Sequence, residues 1–192
     1  VEASLVDAAN PCVFVEAEAM RIAGTESPMD IDARADVMGW LEDVRSQAAV
    51  LMGIAETAED ASENSPSSPF IGMVAPPRDA VTLAGETIKA DDGDLTARMV
   101  SSGNTHRALP LTGALCCASA ARIEGTLNHR HARTRPEGDD IRIMQPSGII
   151  PVSCSVSDTP DGWVVDQAGV YRTQRRLFEG RVLVPGSKVA AA

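Results

Sequence analysis

The chain has 192 residues, 44% of them apolar but only 3% aromatic, and a formal charge of −10. That is chain enough for one sizeable domain with an aliphatic core, and so acidic a balance excludes a nucleic-acid partner. Acids outnumber bases 19 to 6 in residues 1–100, whereas bases outnumber acids 11 to 8 in the rest, which suits a small anionic ligand held by the second half.

Ala3–Asp7 and Cys12–Val15 read as strands, separated by a bend at Asn10-Pro11, because the residue before proline avoids the helical region. Asn10 can cap its own turn or offer a donor and an acceptor to a ligand. Glu16–Ile22 reads as a short helical turn closing at Gly24. A helix of period 3.6 follows, roughly Asp32 to Met52, with Val37, Trp40, Leu41, Val44, Ala48 and Leu51 on one face. Residues 56–69 are rich in Glu, Asp, Ser and Pro and read as a mobile polar insertion. Phe70–Ala75 is a buried strand, Arg78–Gly93 a loop and Asp94–Val100 a half-buried strand.

The central element is a helix from Thr112 to Ile123, with Thr112 as its N-cap and Gly125 just past its end. Ala, Leu and Cys lie on every side of it, so it is buried all round. This predicts an α+β fold: a curved, mostly antiparallel sheet wrapped around a central buried helix. The first N–H groups of a helix lack internal partners and sit at the positive end of its dipole. Gly113 would let a ligand approach them. Upstream lie Ser101, Ser102, Gly103, Asn104, Thr105, His106 and Arg107, so donors and a cation stand before a bare helix end. That combination suits a carboxylate or phosphate; equally, Arg107 could pair with a structural acid.

Beyond Gly125, Asn128–Arg133 reads as a basic surface loop in which His129-x-His131 lacks further metal ligands. Strands are expected at Asp140–Met144, Ile149–Val156, Trp163–Gly169 and Leu177–Val184, the first two joined by the turn Gln145-Pro146-Ser147-Gly148. The arginines at 172, 175 and 176 read as surface, although an anion is an alternative. Cys12, Cys116, Cys117 and Cys154 show no zinc or redox spacing and read as core residues of a reducing compartment. With neither a signal peptide nor an apolar run of membrane length in the sequence, a cytoplasmic protein without a membrane partner is expected.

Four stretches, in order, resemble the 2-methylaconitate isomerase (PrpF-type) family. They are Asp7–Pro11, His106–Ala114, Gln145–Gly148 and Arg172–Pro185. The resemblance spans nearly the whole chain as a single domain, 1–192, matching the second domain of that family. It implies the diaminopimelate-epimerase fold, in which two similar domains flank the active site. It implies isomerases that move a proton and a double bond in small unsaturated di- or tricarboxylates: 2-methylaconitate, aconitate, methylitaconate or 4-oxalomesaconate. No metal or organic cofactor is needed. The epimerases of this fold bear a catalytic cysteine before the matching helix; here Pro110 stands there, and Cys12 replaces the histidine of their Asn-Pro-His. The isomerases' proton-transfer cysteine and lysine belong to the first domain, and neither Lys89 nor Lys188 lies in a matching motif. The chain thus reads as the carboxylate-binding half of an enzyme whose N-terminal domain is missing. Expected ligand contacts are Asn10, Ser102, His106, Arg107, Thr112, Gly113 and Ser147, with His106 a catalytic candidate whose plainer role is binding a carboxylate. The alternatives are an amino-acid epimerase or racemase of the same fold, or a non-catalytic module that binds a small acid or forms a homodimer through its open apolar face.

Overall fold

Alternation in the first hairpin decides which way the sheet faces. Strand β1 (Ser4–Asp7) pairs antiparallel with β2 (Pro11–Glu16). In β2, Cys12 and Phe14 enter one apolar cluster while Val13 and Val15 enter another, so the sheet is covered on both faces. The computed structural model describes residues 1–133, 135–181 and 183–185. The sheet continues through β3 (Phe70–Ala75), β6 (Leu95–Ser101), β8 (Ile141–Gln145), β9 (Gly148–Thr159) and β10 (Gly162–Val170). The short β7 (Asn104–Thr105) folds back on β6. A small hairpin, β4 (Ala80–Val81) with β5 (Thr87–Ile88), stands apart. Only β2–β3 and β6–β8 are parallel pairs, so the curved sheet is mostly antiparallel, as expected.

Each parallel pair needs a crossover, and the two crossovers supply the two helical layers. Residues 102–140 carry α4 (Leu111–Arg122) and α5 (Leu127–His131) to the inner face. Small side chains bury α4 from Gly113 to Ala121, apart from half-buried Leu115. They pack on Cys12, Phe14, Leu95, Ala97, Met99, Ile143 and Val152 from four strands. Residues 17–69 carry α1 (Pro28–Asp32), α2 (Ala35–Leu51) and α3 (Ala58–Asn64). Ile31, Val37, Leu41 and Ala48 of this crossover pack on Val13, Val15, Ile71 and Met73.

The structure corrects four expectations. The long helix is two, because Ser27 caps α1 through the N–H of Asp30 and the chain turns at Ala33-Arg34 before α2 begins. The polar stretch 56–69 contains helix α3, started by the Thr57 hydroxyl and clasped by Arg45. The buried Arg45 guanidinium donates to the carbonyls of Ala61, Ser65 and Ser68 while pairing with Glu42. Residues 128–131 are helical, since Thr126 caps α5; Arg130 pairs with Glu2 and Glu16, and His131 contacts Glu16. The strand expected at 177–184 is not formed by its described residues. Leu177, Phe178 and Leu183 are 79–93% exposed, and β10 is the last strand among the described residues. Lys188 lies outside the described residues.

One polar hub sits in this apolar frame. The buried Asp94 carboxylate accepts from Arg135 Nε at 2.9 Å, from Arg142 Nη2 at 2.9 Å and from the Arg142 backbone N–H at 2.9 Å. The Asp94 main chain bonds Arg142 O and Arg133 N, so one residue ties β6, β8 and the loop after α5 together.

Candidate functional site

Strand register brings the expected site residues to one end of the sheet. Cys12 pairs with Phe70, Ile71 with Val100, and Val100 with Thr105, so the starts of β2 and β3 meet the end of β6. The start of α4 reaches the same end, because Gly113 abuts Phe70 and Met99. The β8–β9 hairpin, with its turn at Pro146-Ser147, completes the rim.

The geometry of the β6–β7 turn positions His106. Ser102 and Gly103 have φ of 49° and 73°, the left-handed pair that a two-residue hairpin requires. The turn is fixed from outside by Ser102 N–H donating to Pro66 O. Folding β7 back sets His106 Nε2 2.7 Å from Ser101 Oγ and its ring 5.9 Å from that of Phe70. The His106 backbone N–H donates to Met99 O. Partial burial pushes the imidazole below its usual pKa, so at neutral pH the ring is uncharged. With its proton on Nδ1, the ring accepts from the Ser101 hydroxyl and presents a donor. An NMR titration of His106 is therefore expected to show a midpoint below about 6.5; a midpoint at or above that value would mean a solvated or ion-paired ring. The sign for stability follows. The unfolded chain takes up this proton first as pH falls below about 6.5, so His106 supports the fold above that pH and withdraws support below it.

A strap, residues 106–109, runs from His106 to α4 and is pinned at three points. Thr105 N–H donates to Asp32 Oδ1 at 2.9 Å, Ser147 Oγ donates to Arg107 O, and Leu109 N–H donates to Gln145 Oε1 at 3.2 Å. The Arg107 side chain is exposed and forms no ion pair among the described residues. It is therefore free to meet an anion, and the pairing with a structural acid is not formed.

At the helix start, Pro110 is the N-cap, not Thr112, which is the second helical residue. No side chain caps this end, and the first internal bond is Ala114 N–H to Pro110 O at 2.8 Å. The N–H groups of Leu111, Thr112 and Gly113 have no hydrogen-bond partner among the described residues. Gly113 itself serves packing: a Cβ there would lie 2.4 Å from Met99 Sδ and 3.2 Å from the Phe70 ring. The close approach of helix and sheet by itself requires glycine here.

The other expected residues differ in role. Half-buried Asn10 stands on the same rim, where its Nδ2 donates to Pro11 O at 3.0 Å, capping its own turn. Exposed Ser102 is a turn residue, and Ser147 fastens the strap. Sequence reasoning did not single out Ser101, Phe70 or Gln145 as site residues. Their signal is positional only: Ser101 and Asn104 face each other across the hairpin that delivers His106. All four cysteines are buried and unpaired. Burial pushes the Cys117 and Cys154 thiols up, and a hydrogen bond with Cys116 does the same for Cys12. None of these three is a thiolate nucleophile. Among the described residues no three histidine, cysteine or acidic side chains group as a metal site.

Comparison with known proteins adds to this geometry. Residues 1–185 match the family described as PrpF protein. The chain is 40% identical to the 3-methylitaconate isomerase of Eubacterium barkeri, over 98% of this chain and 49% of that protein. It is 33% identical to the 2-methyl-aconitate isomerase of Shewanella oneidensis, over 95% of this chain and 46% of that protein. A crystal structure of methylitaconate-delta-isomerase superposes with a TM-score of 0.86 at 40% identity, covering 95% of this chain and 46% of that one. The chain spans about half the length of the curated relatives it matches.

Proposed function

The chain belongs to the PrpF family, and from that premise we propose that it is the carboxylate-binding half of an isomerase that moves a proton and a double bond in small unsaturated di- or tricarboxylic acids. The observation that carries this reading is the uncapped start of α4 standing beside the unpaired Arg107. A carboxylate placed there meets backbone donors at the positive end of a helix and a guanidinium able to grip it with two bonds. The neutral His106 ring supplies a further donor to the same ligand. Asn10, on the same rim, adds an amide contact, and Thr112 a hydroxyl.

Removal of a proton next to a carboxylate builds negative charge on its oxygens. Donors already aimed at those oxygens stabilise that charge without reorganising. The group that takes and returns the proton is assigned to a preceding half, because the thiols here are buried and Lys89 is engaged with Asp79. No cofactor is required for a proton shift of this kind. Pro110 at the head of α4 disfavours a two-cysteine amino-acid epimerase. Buried unpaired thiols, together with the lack of a described helix long and apolar enough to cross a membrane, support a cytoplasmic location.

The test is proton NMR in D2O with trans-aconitate, 2-methylaconitate, methylitaconate and 4-oxalomesaconate, using this chain alone and a version extended upstream to a natural start. Deuterium uptake with double-bond movement is expected from the longer protein only. Silence from a folded longer protein would overturn the isomerase reading. Turnover by the 192-residue chain alone would overturn its description as a half-enzyme and make His106 the first candidate base.

A further inference from the structure

On the outer face of the sheet, away from the α4 start, lies a cavity of about 610 Å3 between α1, the β4–β5 hairpin and β6. Arg98 forms part of its wall, although the residue is only 2% exposed. The alternation of β6 sends Leu95, Ala97 and Met99 inward to α4 and so turns Arg98 outward. Its Nε donates to Glu26 O at 2.8 Å and its Nη1 to Ala97 O at 3.0 Å. Neither acceptor is charged. Its Nη2 makes no hydrogen bond, and the guanidinium has no ion-pair partner, among the described residues. Only the charge of Glu26, which makes no direct ion pair with it, offsets this buried cation, and burial has pushed its pKa down to about 10.

The nearby acids make no direct ion pair with this charge, because each is otherwise engaged. Glu26 accepts from the N–H groups of Ala23 and Gly24 at 2.7 and 2.8 Å. Asp79 is held by Lys89 and the Ala90 N–H, and Asp30 by the Ser27 hydroxyl. These acids still set the ligand's charge. The three carboxylates on the wall repel any anion, a dianion twice as strongly as a monoanion, so a single negative charge seated directly on the guanidinium is the most the cavity accepts. Val81, Leu83 and Pro146 provide apolar wall for an aliphatic body.

Two bonds lead from this cavity to the opposite end of the candidate site. Leu83 N–H donates to Pro146 O at 2.8 Å, and the next residue, Ser147, holds Arg107 O. Helix α1, whose first turn lines the cavity, ends in Asp32, which holds the Thr105 N–H. Both pins therefore converge on the strap that carries His106 and Arg107. We propose that this cavity is a second small-anion site, taking a monocarboxylate with a short aliphatic body on Arg98, and that its occupancy is transmitted to the 106–109 strap through Pro146 and Asp32.

The test is an amide and side-chain NMR titration of the 192-residue chain with butyrate, and in parallel with the neutral isostere butyramide. Saturable shifts at Arg98 and Thr82 are expected with butyrate only, extending to Thr105 and His106. Arg98→Lys, which loses the flat two-bond grip, is expected to weaken binding about tenfold. Val81→Asp, on the exposed rim, places a like charge at the mouth without touching the core, and a similar loss is expected. Equal shifts with butyramide, shifts at the α4 start alone, or binding indifferent to Val81→Asp would each overturn the site. Shifts confined to the cavity would overturn its coupling to the strap.

Discussion

Asp94→Ala is expected to lower the unfolding free energy by about 3 kcal/mol, read from the urea midpoint at unchanged m-value. The carboxylate is fully buried and binds two guanidinium groups and one backbone N–H. Removing one member of such a cluster leaves the others uncompensated, a loss of roughly 3–5 kcal/mol. The lower end of that range applies because Arg135 and Arg142 are 29% and 32% exposed and can turn towards water. The Arg142 N–H has no such escape. Asp94→Asn keeps the shape but turns an amide NH2 towards guanidinium donors, so it recovers only part of the loss. A change below about 1 kcal/mol for the alanine variant would show that the hub is ornamental to stability.

On the proposed isomerase reading, Arg107→Ala in the upstream-extended protein is expected to lower kcat/KM by roughly 10- to 150-fold, the equivalent of about 1.5–3 kcal/mol for hydrogen bonds to a charged group. Most of the effect falls on KM, because the carboxylate carries its charge in both the ground and the transition state. The fold is unaffected, since the Arg107 side chain is exposed and pairs with nothing described. That independence separates it from Asp94, whose loss acts through stability. Arg107→Lys restores part of the attraction but not the two-bond geometry. Unchanged kinetics with Arg107→Ala would remove it from the site.

Short-range patterns carried much of this molecule. The Ala- and Cys-rich run of α4 announced a helix buried on all sides, and the alternating runs announced the strands that surround it. What escaped detection depends on partners distant in sequence. Residues 58–64 looked too polar to fold because their clasp, Arg45, belongs to another helix. The packing role of Gly113 was hidden because its neighbours, Met99 and Phe70, arrive from two strands. At Leu177–Val184 the pattern was apolar enough for a strand, yet a strand needs a neighbouring edge, and its described residues pair with none here. For the candidate site, Arg107 and the bare helix start were legible from residue type alone. The Ser101–His106 pair was not, since it forms only once Ser102 adopts positive φ.

The two parallel strand pairs also have a kinetic consequence. Neither β2–β3 nor β6–β8 can form until a crossover of several dozen residues has closed, and such closure is an entropic toll collected before any reward. Helix α4 draws its burial from strands on both sides of it in the chain, so it has no finished pocket until the last hairpin has arrived. Refolding is therefore expected in the slow, millisecond-to-second regime of non-local topologies, with β1–β2 and β9–β10, the local antiparallel hairpins, assembling first. During synthesis, the growing chain must hold β1, β2, β3 and β6 and its small-residue helix in waiting until β8 to β10 emerge.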